Sequence, residues 1–304
     1  MAASKIGFAK RVGRIFRWVV MFARLAVSAM LFLAVFGSIH PVGDSFSVIQ
    51  LPIALFGLAL SVFFFGRILR VVVLILSVLA IGQIGLEFLN SREAGPIAVY
   101  QKNLLSLNPE IPRTQADILK RQPEIVTLEE VTDQLAGSIQ QGLAGRYPTW
   151  KFCKYNDVRG SAIASIWPEV AGSGFCAAQG NVAGIQVIGP NGPLWLVLLH
   201  LHWPWPYEQG DQVKDLLPTL EALEGPVVLG GDFNMLPWSN AVRQIAKAVR
   251  GERAGGVEPT FYLDSIPLPI DQVIAPAGGT IEVLPLFESD HHGLLAHINL
   301  TPDP

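Results

Sequence analysis

Apolar positions run almost unbroken through the first part of the chain and then alternate with polar ones. Three apolar stretches cover about residues 18–39, 47–65 and 68–86, each close to the ~20 residues that cross a hydrocarbon core as a helix. A turn-like break, His40-Pro41-Val42-Gly43-Asp44, separates the first two, and Gly66-Arg67 leaves room only for a tight hairpin before the third. Residues 90–96 read as a short linker. Beyond it, strand-length apolar runs at 97–100, 125–128, 162–166, 194–199, 227–229, 270–274 and 294–298 are interspersed with helical patterns at 115–121, 212–223 and 240–249. This mixture predicts an α/β domain over 91–304, two sheets packed together with helices outside, preceded by a membrane region over 1–90 with three transmembrane helices.

Charge divides the chain at the same place. Residues 1–90 carry 8 Lys+Arg against 2 Asp+Glu, net +6, and residues 91–304 carry 14 against 23, net −9. The acidic C-terminal part lacks the bulk basic footprint of a nucleic-acid binder. Lys5, Lys10, Arg11, Arg14 and Arg17 precede the first apolar run, Arg67 and Arg70 sit at the second hairpin, and the 40–46 turn has no Lys or Arg. The positive-inside rule then predicts a cytoplasmic N-terminus and Arg67 hairpin, with 91–304 outside the cytoplasm. Arg24 lies early in the first run, where its stem could snorkel to the headgroups, or where the span could start after it. A cleaved signal peptide over 1–39 is the alternative, but no small-x-small site precedes Pro41. Cys153 and Cys176, the two cysteines of the chain, fall on the oxidising side of this topology and are expected to form a disulfide, the alternative being two buried thiols.

Polar residues recur where the apolar strands end: Asn103, Glu130, His200, Asp232, Asn234, Asp271, Asp290 and His291. His202 follows His200 on the same strand face, and His200 is preferred as the site residue. Convergent strand ends would gather these groups in one cleft, where carboxylates suit a hard cation such as Mg2+. The segments resemble the endonuclease/exonuclease/phosphatase superfamily. Val99-Tyr100-Gln101-Lys102-Asn103 resembles its first motif, and Pro123-Glu124-Ile125-Val126-Thr127-Leu128-Glu129-Glu130-Val131 its Pro-Asp-Ile-Val-x-Leu-Gln-Glu-Val. Residues 161–168 resemble its Gly-x-Ala-Ile-x-Ser-x-x-Pro strand, Leu199-His200-Leu201 its Thr-His-Leu, and Gly231-Asp232-Phe233-Asn234 its Gly-Asp-x-Asn. Ile270-Asp271-Gln272-Val273 and Ser289-Asp290-His291 match the last two motifs, with Gln272 in place of a ring and His292-Gly293 where Pro-Leu is common.

The resemblance implies a four-layer α/β sandwich of two packed mixed sheets and a metal-dependent hydrolase of phosphate esters. It implies that Glu130 holds Mg2+ or Mn2+, with Asn103 and Asp290 nearby. Asp232 would orient or deprotonate the attacking water, Asn234 and Asn103 would position water and phosphate, Asp271 would fix the tautomer of His291, and His200 would contact the phosphate or assist the leaving group. Anchoring suggests a lipid bilayer as partner and a phosphorylated small molecule or lipid as substrate, outside the cytoplasm. A membrane-tethered nuclease and a catalytically silent membrane binding module are the competing expectations. Trp203-Pro204-Trp205-Pro206-Tyr207 reads either as a stiff loop packed on the domain or as an aromatic rim at a membrane interface.

Overall fold

The computed structural model describes residues 2–37, 39–90, 92–156 and 159–301. The side chains of residues 2–7 and Ala9 lie outside the described set, and with them Lys5 of the cationic N-terminus. Ser38 in the first apolar run and Ser91 at the expected domain boundary also lie outside it. The chain divides into two compact units, Met1–Leu86 with Trp238–Asn240, and Glu87–Pro237 with Ala241–Pro304.

The first unit is helical: α1 (Ala2–Val35), α2 (Val42–Val48), α3 (Gln50–Ser61) and α4 (Arg67–Phe88). Among the described residues, two helices are long and apolar enough to cross a membrane, Lys10–Val35 and Arg67–Phe88. The middle apolar run, expected as one continuous span over 47–65, is instead a bent pair, α2 and α3 meeting at 79°. Pro52 gives the physical reason. Its ring has no N–H and would clash with the carbonyl four residues back, so a helix starts beside it more readily than it runs through it. The break over 40–44 is also shorter than expected, because helix already begins at Val42.

The bent pair still follows α1 over its length. Gly43 packs against the Leu33 carbonyl near the end of α1, and Gly57 lies between Val27, Val73 and Ser77. The Phe63 ring meets Phe16 at 5.3 Å. From Phe16 to Val35, α1 rises about 28 Å at 1.5 Å per residue. Arg24 does not snorkel. It is fully buried and donates to the carbonyl oxygens of Leu60 (2.8 Å), Phe63 and Phe65. Those carbonyls belong to the last turn of α3 and the turn after it, where helix geometry leaves acceptors without partners.

The second unit contains β1 (Ile97–Asn103), α5 (Ile111–Arg121), β2 (Ile125–Glu129), α6 (Asp133–Leu143), β3 (Thr149–Asn156), β4 (Arg159–Ser165), β5 (Phe175–Ala177), β6 (Val182–Gly189) and β7 (Gly192–His200). It continues with α7 (Gln209–Glu221), β8 (Val227–Asp232), α8 (Asn240–Ala248), β9 (Glu252–Arg253), β10 (Phe261–Leu263), β11 (Ile266–Leu268), β12 (Asp271–Ala275), β13 (Gly279–Val283) and β14 (Leu294–Ile298). Two six-stranded sheets form, in the orders β13-β14-β1-β2-β4-β3 and β5-β6-β7-β8-β12-β9, with β10-β11 a separate hairpin. Both are mixed. A central parallel pair, β1/β2 in one and β7/β8 in the other, is flanked by antiparallel strands.

Period-2 alternation sorts each strand onto two faces. Val99, Ile125, Ile163, Ile185, Leu198 and Val273 meet in the core between the sheets. Tyr100, Val126 and Leu128 face the other way, onto Ile118 of α5 and Ile139 of α6. Helices α7 and α8 each carry a buried apolar stripe, including Leu216 and Leu220, and Val242 and Ile245. Cys153 and Cys176 form a disulfide that joins β3 to β5, the edge strands of the two sheets.

Candidate active site

The site forms where the central strands of both sheets end. In the second sheet, cross-strand register sets His200 opposite Asp232 and Asp232 opposite Asp271. Three neighbouring strands therefore present one polar row, since residues in register share a face. From the first sheet comes Asn103, the last residue of β1, whose amide nitrogen donates to Asp232 Oδ2 at 3.3 Å. Glu130 follows β2 directly and adopts a left-handed backbone, φ 55°. That conformation is uncommon outside glycine and collects at functional sites. One Glu130 carboxylate oxygen accepts from the Ser106 N–H at 3.4 Å, and the other lies 3.7 Å from Arg159 Nε.

Asp232 is the hub. Its Oδ2 lies 3.5 Å from His200 Nε2 and 3.7 Å from His291 Nε2. Its Oδ1 accepts the backbone N–H of Asn234 at 2.8 Å, and the Asn234 side chain donates to the Leu201 carbonyl at 2.8 Å. Asn234 too is left-handed, φ 47°, which turns the chain back over Asp232. His291 Nδ1 sits 2.9 Å from Asp271 Oδ2. The other Asp271 oxygen accepts from Gln101 Nε2 at 3.0 Å, and that same nitrogen donates to Glu129 at 3.1 Å.

Burial and neighbouring charge push these groups apart in acidity. Burial and the nearby Asp271 charge raise Asp232 to about 7, against the opposing pull of His291. His291 loses charge stability through burial, but Asp271 and Asp232 more than compensate and lift it to about 10. Burial, with Arg159 and His291 nearby, lowers His200 to about 3. At neutral pH the site thus holds a neutral His200 and a cationic His291 locked to the Asp271 carboxylate. Glu129 is buried beside Asp271 and Asp232, and all three effects hold its carboxyl well above the usual range.

Asn103, Glu130, His200, Asp232, Asn234, Asp290 and His291 all line one cleft of about 350 Å3. Asp271 lies behind His291, 2 % exposed. His202 also reaches the cleft, but its ring nitrogens face Asn181 and Glu208, while His200 faces Asp232. His292 turns to the Leu284 carbonyl. Gln272, the residue departing from the ring of the motif, bonds Arg253 and the Pro269 carbonyl away from the row. Gly293 has a steric reason: a Cβ there would sit 2.6 Å from the Gln101 carbonyl oxygen.

Gln101, Lys102, Glu129 and Arg159 join the site without being marked by the sequence pattern. Gln101 shares its strand face with Asn103, two residues on, so periodicity is the signal that could find it. Lys102 faces the opposite side, where it is fully buried and donates to the His291 and Pro285 carbonyl oxygens at 2.8 and 3.1 Å. No local signal marks it.

Two groupings could take a cation. Asp232, Asp271 and His291 offer ligand atoms within 4.8 Å of one another. Both His291 nitrogens face carboxylates, Nδ1 toward Asp271 and Nε2 toward Asp232. Glu130, Asp290 and Asn103 line the same cleft and offer the hard oxygen donors that Mg2+ or Mn2+ prefers. Glu130 fits that part, since its carboxylate is held by one long backbone contact and a distant guanidinium.

Residues 101–291 match the Endonuclease/Exonuclease/phosphatase family, and the chain belongs to it. No curated protein matches the chain. Among solved structures, a 3' phosphatase from Neisseria bound to a product DNA hairpin is 15% identical, with TM-score 0.53, covering 67% of this chain and 99% of that one. A beta toxin mutant from Staphylococcus aureus with bound magnesium ions is 13% identical, with TM-score 0.52 and coverages of 67% and 99%. Sphingomyelinase C from Streptomyces griseocarneus is 15% identical, with TM-score 0.50 and coverages of 67% and 99%. At these identities the likeness concerns the fold.

Proposed function

We propose that this chain is a membrane-anchored, divalent-cation-dependent phosphoesterase, with a membrane region over 1–90 and a catalytic domain over 91–304. It hydrolyses a phosphate ester or pyrophosphate, carried on a lipid or a small molecule, outside the cytoplasm. The observation that carries this reading is the polar row His200–Asp232–Asp271, bridged by His291 and faced by Asn103 and Glu130, in a chain with apolar helices of membrane length. The structural neighbours include a 3' phosphatase bound to a product DNA hairpin, a sphingomyelinase and a magnesium-bound toxin.

Glu130 and Asp290 would hold Mg2+ or Mn2+, with Asn103 beside them. The bound cation supplies charge neutralisation at the phosphoryl oxygens. Asp232, with a pKa near working pH, takes the proton of the attacking water at Oδ2. Asn234 fixes the Asp232 carboxylate through its backbone N–H and orients the water. Cationic His291, held by Asp271, places positive charge where the pentavalent phosphorus gathers negative charge. Neutral His200 offers a hydrogen bond to a phosphoryl oxygen.

Hydrolysis by the purified full chain should be measured in mild detergent with Mg2+ against lipid phosphates, inositol phosphates and DNA. Lipid or small-molecule turnover abolished by EDTA is expected. Preferential DNA cleavage would instead make it a tethered nuclease, and no turnover of any substrate a silent binding module. The sidedness has its own test. The contacts of α2 and α3 along α1, from Gly43 to Phe63, support three crossings. A C-terminal phosphatase fusion should then be active and a cytoplasm-dependent fluorescent fusion dark. The opposite pattern would make the bent pair re-entrant and the catalytic domain cytoplasmic.

A further inference from the structure

We infer that the loop of Trp203 to Tyr207 and the β10–β11 hairpin form a two-pronged edge that docks on a lipid bilayer surface. The edge delivers a membrane-borne phosphate ester into the cleft between the prongs. Only that delivery step rests on the phosphoesterase reading.

Both prongs belong to the cleft mouth, since Trp203, Tyr207 and Phe261 line it. They touch each other, with Trp203 and Phe261 ring centroids 6.1 Å apart. The hairpin is also fastened to the chemistry. Phe261 pairs with His291 through an isolated backbone bridge, and its ring lies 4.8 Å from the His291 ring. Outward from that fastening, Tyr262, Leu263 and Ile266 are 49–60 % exposed, with Leu263 opposite Ile266 across the turn. Trp203 and Tyr207 add 40 and 60 % exposed rings. A two-stranded ribbon of this size has no core of its own in which to bury such side chains, and a contiguous exposed apolar patch marks an interaction surface.

A bilayer is the occupant that the chemistry selects. Residues 203–207 carry no charge, and the hairpin over 261–268 carries only Asp264 at its turn. Trp and Tyr with an apolar body and a polar tip settle at the headgroup level. A bilayer is also the apolar phase that the chain's own long helices call for.

The test uses the full chain in phosphatidylcholine nanodiscs. Both native cysteines are in the disulfide, so one introduced cysteine gives one labelling site. An environment-sensitive fluorophore on Leu263→Cys should shift to the blue and be quenched by nitroxide lipids. The same fluorophore on Ile188→Cys, an exposed apolar position near the β6–β7 turn at the opposite end of the second sheet from His200, should report water. Equal water exposure at both positions overturns the proposal, whatever the enzymatic activity. In parallel, the double variant Leu263→Ser, Ile266→Ser should lower kcat/KM roughly tenfold for a lipid-borne ester, the effect of losing about 1.4 kcal/mol of interaction. It should leave a water-soluble ester unchanged. Equal losses on both esters would mean that the hairpin only supports the site, and would overturn the docking role. Absence of any hydrolysis would refute the phosphoesterase reading while the fluorescence result stood.

Discussion

The two sheets share one plan and contribute different chemistry. Each has a parallel pair at its centre, and each delivers polar residues from the ends of that pair. The first sheet supplies Asn103 and, just past β2, Glu130, whose loosely held carboxylate faces the cleft. The second supplies His200, Asp232 and Asp271, packed in register and tuned against one another by burial. On the reading proposed above, the first contribution would serve cation binding and the second proton transfer. Both contributions are shielded from solvent, with Asn103 and Glu130 at 2 and 9 % exposed and Asp232 and Asp271 at 1 and 2 %, so they differ in residue type and not in access to water.

Breaking the second sheet's row, or the His291 that bridges it from the segment before β14, should have the largest effect. Asp232→Asn and His291→Ala are each expected to lower kcat about 10²–10⁴-fold, as losses of positioned acid–base groups do, without moving the half-saturating Mg2+ concentration. Glu130→Gln, in the first sheet, should do the reverse. Titration of activity with Mg2+ should show a midpoint raised about 10–100-fold, with much of the rate recovered at saturation. If both kinds of variant shift the same parameter, the proposed division of roles is wrong.

The pH profile sharpens the same contrast. Asp232 must be ionised to accept a proton, so kcat/KM should rise as pH increases through about 7. It should fall again as His291 loses its proton near 10. In Asp232→Glu the acid limb should move while the alkaline limb stays, as rate measurements over pH 5–10.5 would reveal.

Smaller effects concern the joint between the sheets. Cys153→Ser should destabilise the domain by about 3 kcal/mol on the chain-entropy estimate for a 23-residue separation, read as a lower Tm under oxidising conditions only. Glu129→Gln should raise Tm slightly. The folded pKa of Glu129 lies above its unfolded value, so the wild type loses stability as pH rises from about 4.5 toward that folded pKa. The gain in the variant should therefore be larger at pH 8 than at pH 5. A gain independent of pH would mean that Glu129 is not the source.

Much of the site is legible in the amino-acid sequence. Asn103, Glu130, His200, Asp232, Asn234, Asp290 and His291 are marked by position at the ends of apolar runs, and they meet in one cleft with Asp271 behind them. Their burial costs polarity in otherwise apolar strands, which is why they stand out. Strands β3, β6 and β13 do not stand out. In β3, Trp150, Lys151, Phe152 and Lys154 obscure the alternation, and β6 is interrupted by Gly184, whose missing side chain leaves space for the Phe175 ring. The bend between α2 and α3 is hidden because hydropathy averages over the break, although Pro52 announces it. Gln101, Lys102 and Arg159 act through partners distant in sequence, and no local pattern encodes such pairings.

The carbonyl cage around Arg24 bears on how the apolar helices would enter a membrane. An arginine in an apolar helix is costly to insert, up to about 2.5–3.5 kcal/mol at the centre of a span by biological scales, and its acceptors at Leu60, Phe63 and Phe65 emerge from the ribosome some forty residues later. On the proposed membrane-anchored reading, α1 would be poorly settled in the bilayer until they arrive. We therefore expect α1 and α3 to integrate as a pair. A chain truncated after Phe36 should slip from the membrane on alkaline extraction, whereas one extended through Phe65 should resist it, and Arg24→Leu should anchor the short form.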